Sequence, residues 1–236
     1  WDYGTGALGD MGCHIMDVPV KALGLFEPFS VEASVSNLPY AKAFTPSPLI
    51  EEACPSSSYI TYKFRPSEIN NSEVKMVWMD GGIRPSHPDI ITDADDIGDN
   101  GVLMIGENGL IWCDNYGIKA KLYIKGQEGV VETGKISEMN SGEFGHQNHW
   151  IDAIKDGYGS DKHRSLTSNF DFAGPLSEVV LLGNVAIRSS FIRRSSRSNV
   201  FIGKKQLLYN SKEIRITNLD KANQFLTREY REGWEI

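Results

Sequence analysis

The chain has 236 residues, 40% apolar and 23% charged, an ordinary globular balance with enough apolar side chains for a sizeable core. Its net charge of −7 excludes nucleic acid as the main partner, because neutralising phosphates takes clustered Lys and Arg. Three widely spaced cysteines, Cys13, Cys54 and Cys113, exclude a disulfide framework and a CxxC zinc site. No apolar run reaches the length of a bilayer span, since VVLLGNVAI is short and holds Gly183 and Asn184, so no membrane partner is expected.

The first seventeen residues, WDYGTGALGDMGCHIMD, carry most of the chemistry. A Gly-rich loop flanked by aromatics leads into a helix bearing Asp10, His14 and Asp17. Spacings of four and three place those side chains on one helical face. Gly4, Gly6 and Gly9 spell G-x-G-x-x-G, the pattern of a dinucleotide loop. Such a loop needs a strand before it and an acidic strand end about twenty residues on. Only Trp1, Asp2 and Tyr3 precede the glycines, and the nearest acid, Glu27, sits at a helix exit before Pro28. The glycines read instead as a loop lying flat beneath a bound molecule and setting the helix start.

The pattern predicts a helix over 7–24, stopped by Gly24 and perturbed at Pro19. Strands follow at 30–37, 58–64 and 74–79, then a long loop over 83–100 rich in Pro, Asp and Gly. A hairpin is expected from 102–105 and 110–113, extended by 122–124 and 130–132. Helices are expected over 143–155 and 175–191, the latter with Pro175 in its first turn. A last hairpin, 206–209 with 213–217, precedes a short helix capped by Asn218. Grouped strands beside helices predict an α+β fold: a large, mostly antiparallel open sheet with helices on one face. With no linker and no repeat, residues 1–236 read as one domain.

Asp10 lies one turn before His14, where a carboxylate can hydrogen-bond the imidazole, fix its tautomer and raise its proton affinity. A general base that takes a proton from a hydroxyl near neutral pH needs that arrangement. The same pair also suits ordinary helix chemistry, with Asp10 charging the first turn and His14 packed. His146 and His149 are three apart, but no third ligand is near, so no metal is expected. Glu178 could face a pocket, or serve the dipole of its helix. The basic run 188–197 reads as cations at a helix end followed by a solvated loop.

The run GTGALGDMGCHIMD, with HWIDAIKDG, NFDFAGPLSEVVLLGNVAIRSS and the ending REYREGW, resembles the C-terminal half of Gfo/Idh/MocA-type oxidoreductases over the whole chain. The resemblance implies a dihydrodipicolinate-reductase-like C-terminal domain. It also implies that Asp10 and His14 are the catalytic pair acting on a sugar or polyol hydroxyl. Asp17 matches a further acidic position. The loop residues Trp1, Tyr3, Gly4, Thr5 and Gly6 would line the substrate site, with Trp1 and Tyr3 offering flat faces to sugar C–H surfaces. Family members begin with a Rossmann domain, about one domain's length, that holds NAD or NADP and a Glu-Lys-Pro lysine. No such tripeptide occurs here. The chain is therefore expected to be the substrate-binding half, with that domain as its own absent partner and no cofactor bound to these residues. The resemblance also implies a homo-oligomer formed through the open sheet face. Three readings stand: a dehydrogenase half, a NAD-assisted glycosidase or epimerase of the same fold, and a non-enzymatic carbohydrate-binding or dimerisation module.

Overall fold

The computed structural model describes residues 1–36, 51–92, 97–117, 120–131, 145–198, 200–228 and 230–234. Two short helices open the chain, α1 (Gly6–Ile15) and α2 (Asp17–Leu23). The single helix expected over 7–24 is thus broken at Met16. Pro19 has no N–H to offer the carbonyl of Ile15 four residues back, so the ladder falters one residue after it. The path still stays roughly helical, with Met16 N donating to Gly12 O at 2.8 Å and Val20 N to Met16 O at 3.0 Å. Gly24, at φ 64°, ends α2 as expected.

Three strands follow, β1 (Pro28–Ser36), β2 (Ser57–Phe64) and β3 (Val74–Met79). Late in the chain come β7 (Leu207–Asn210) and β8 (Arg215–Ile216). Together they form a five-stranded antiparallel sheet in the order β3-β2-β1-β7-β8. Alternation sends Val31, Ala33, Ile60, Tyr62, Phe64, Trp78, Leu207 and Tyr209 to one buried face. The long helix α5 (Phe170–Ser189) lies on that face and buries Leu176, Val179, Val180, Leu182, Val185, Ala186 and Ile187. It has the length and hydropathy of a membrane span, yet here it is a core helix between α1 and the sheet. The fold is α+β, with helices on one face of the main sheet.

α5 starts five residues before Pro175, capped by Asn169, whose side chain accepts from Phe172 N at 3.2 Å. Pro175 therefore sits inside the helix rather than in its first turn. The carbonyl it leaves without a helical donor belongs to Asp171, which is exposed to water. Asn218 also departs from expectation: it clips the last hairpin, accepting from Leu208 N and donating to Gln206 O, both at 2.9 Å. The segment after it is a 3-10 helix, Asp220–Phe225, without a side-chain cap.

A second antiparallel sheet, β4 (Val102–Ile105), β5 (Gly109–Cys113) and β6 (Lys121–Ile124), has its own small core of Ile91, Ile97, Leu110 and Tyr123. Beyond it, Val131 adds an isolated bridge to Leu122, while Glu132 lies outside the described residues. α3 (Gly145–Asp156) packs on the short α4 (Asp161–Arg164); residues 143 and 144 of the expected helix lie outside the described set.

Candidate functional site

Close packing of α1 on α5 builds the floor of the site, and glycines permit it. A Cβ at Gly12 would meet Val180 Cγ1 at 2.9 Å. One at Gly183 would meet Tyr62 Oη at 2.1 Å and Leu8 Cδ2 at 2.5 Å. One at Gly9 would strike the Thr5 hydroxyl at 1.7 Å. Gly6 takes φ 69° and lies against Cys54, whose Cβ is 2.9 Å from where its own would be. The glycines therefore serve a helix start and a helix–helix contact.

Below the first turn of α1 lies a cavity of about 10 Å³, room for one water, lined by Thr5, Gly6, Ala7, Leu8, Ser58 and Asp80 among others. The Asp80 carboxylate, just past the end of β3, is held by three donors. Ser58 N donates at 2.5 Å, Ser58 Oγ at 2.6 Å and Trp78 Nε1 at 2.7 Å. A carboxylate under the N-terminus of α1 complements the helix dipole from within the fold.

The loop residues divide. Trp1 packs against the core, its ring 5.6 Å from the Arg188 guanidinium, which also stacks 4.4 Å from Phe225. Its indole N–H donates to Glu51 O at 3.2 Å, and the Glu51 carboxylate pairs with Arg193 at 2.8 Å. Two cations of the basic run thus lock the loop to the C-terminal part. Tyr3 is fully exposed, and Gly4 O accepts a long bond from Cys54 Sγ at 3.8 Å. Thr5 precedes α1 without a side-chain cap bond.

Asp10 and His14 stand exposed on α1, and Asp17 is half-buried just past the break. Among the described residues no hydrogen bond joins Asp10 to His14, so the imidazole is not fixed by that carboxylate. Its ring instead meets Tyr116 edge-to-face, centroids 5.7 Å apart and planes at 77°. Tyr116 sits in the turn between β5 and β6, a hundred residues away in the chain and invisible to local spacing. Burial pushes the Asp17 carboxyl above the usual range, while the charges of Lys21 and His14 draw it back down. His14 thus lies within the electrostatic reach of Asp17. An exposed imidazole beside two carboxylates can take up and release a proton at a ligand hydroxyl.

Other candidates have structural partners. Glu178 accepts from the Tyr209 hydroxyl at 2.8 Å. Burial and that bond push the phenol well above its ordinary range. His149 Nε2 is 3.2 Å from Ser165 Oγ, while His146 is exposed. Among the described residues no group of three His, Cys, Asp or Glu side chains could hold a metal ion. No protein-family model matches the sequence, and no curated protein matches it.

Proposed function

We propose that this chain is the substrate-binding, acid–base half of an oxidoreductase acting on a CH–OH group of a sugar, polyol or related carbohydrate. The observation that carries the reading is an exposed imidazole, His14, on α1 between exposed Asp10 one turn before it and half-buried Asp17 at the start of α2. His14 receives the hydroxyl proton as the carbon is oxidised. Asp10 and Asp17 can accept hydrogen bonds from neighbouring hydroxyls of the same substrate. The oxidant in this reading is NAD or NADP. The reading places it on a Rossmann domain of the kind the family resemblance implies.

A reaction that returns the hydride, as in hydrolysis or epimerisation, would use the same imidazole. Absorbance at the reduced-nicotinamide band separates the two in the protein as its cell makes it, supplied with NAD or NADP and neutral sugars. Stoichiometric accumulation of reduced nucleotide is the expected result. Product formation without it would move the assignment to transient oxidation, and no reaction with any sugar would favour a binding module.

A further inference from the structure

We propose that Tyr116 is the platform on which a neutral cyclic sugar stacks, so that the sugar's rim hydroxyls meet His14; the inference rests on the acid–base reading of His14 above. The turn that carries Tyr116 is held firmly. Tyr116 N donates to Asp114 Oδ1 at 3.2 Å and Gly117 N to Asp114 O at 3.0 Å. Gly117, at φ 70°, would bring a Cβ to 3.0 Å from Val18 Cγ2, so the turn sits directly on α2. This contact brings the second sheet to the candidate site.

The phenol is 60% exposed, whereas Tyr62 and Tyr123 are fully buried. The Trp1 ring faces Arg188, and Tyr3 makes no ring contact among the described residues. Tyr116 is the aromatic whose ring meets His14.

A pyranose presents a rigid face of C–H bonds carrying slight positive charge, which suits the negative face of an aromatic ring. Its hydroxyls lie around the rim, where Asp10, His14 and Asp17 can accept from them. An open-chain polyol has no such face and loses torsional freedom on binding. A phosphorylated sugar would bring two negative charges towards the carboxylates of Asp10, Asp17 and Asp114. The site therefore selects neutral rings over chains and over phosphate esters.

The test follows the His14 imidazole by NMR in 13C-histidine-labelled protein as its cell produces it, assigned by its loss in His14→Ala. D-glucose, D-glucitol and glucose 6-phosphate are the probes. D-glucose should shift the His14 resonance saturably, and the other two should bind about tenfold more weakly. Tyr116→Phe keeps the ring and should stay within about twofold of wild type. Tyr116→Ala and Tyr116→Leu should weaken D-glucose by about tenfold with unchanged melting temperature. If both weakened variants bind D-glucose like wild type while His14 still responds, the platform is wrong and the acid–base reading stands. If no probe moves the His14 resonance in the wild type, both fall.

Discussion

At the scale of single residues, the three side chains on the opening helical face differ in their surroundings. Asp10 and His14 are in water, while Asp17 pays a desolvation cost that Lys21 and His14 only partly offset. A carboxyl whose pKa is higher in the folded than in the unfolded state binds protons more tightly when folded. The fold therefore loses stability as pH rises through that window, and the loss persists above it. Asp17→Asn removes the ionised group, so at about pH 7 the variant should be at least as stable as wild type. The wild type should gain relative to the variant as pH falls through the raised range towards ordinary carboxylate values. Urea midpoints for the pair across that range check this, and a gap that does not change with pH would show that Asp17 is unperturbed. The spacing of Asp10, His14 and Asp17 is legible in the sequence. The missing Asp10–His14 bond is not, because helical spacing sets proximity but leaves side-chain rotamers open.

Among the elements, the packing of α1 on α5 decides the geometry of the site, and one glycine of each helix reports on it. Gly12 faces Val180, and Gly183 faces Tyr62 and Leu8, both with no room for a methyl. Gly12→Ala and Gly183→Ala should each destabilise by about 1–3 kcal/mol through overpacking, despite better helix propensity. Thermal or urea unfolding checks this; wild-type stability in both variants would mean that α1, α5 and β2 are not packed this closely. β3 and β4 match their expected bounds residue for residue, because β-branched and apolar runs there end at clear turns. The helix starts were harder to read. Pro175 looked like a first-turn residue, but the Asn169 cap six residues upstream of the expected start set the boundary. Asn218 offered a capping side chain that hairpin carbonyl and amide groups captured instead.

For the whole molecule, one face of the main sheet carries no helix among the described residues. Along it Tyr59, Thr61, Val77 and Met79 are half-buried, and Glu32, Ser34 and Lys75 are exposed. We propose this mixed face as the self-association surface that the family resemblance implies. Light scattering should give at least twice the mass of one chain, and Thr61→Arg should return it to one; a monomeric wild type would remove the proposal. The α+β class was readable because strands cluster in the sequence. The meeting of Tyr116 with His14 was not, since it depends on where the turn between β5 and β6 settles on α2. The central claim is that His14 moves the substrate proton. It is tested most directly by turnover of the wild type and His14→Ala in the protein as its cell makes it, with nucleotide affinity measured alongside. The account predicts a loss of about a hundredfold or more in turnover with nucleotide binding unchanged. An equal rate in the variant would contradict it and leave His14 as an ordinary surface residue of α1.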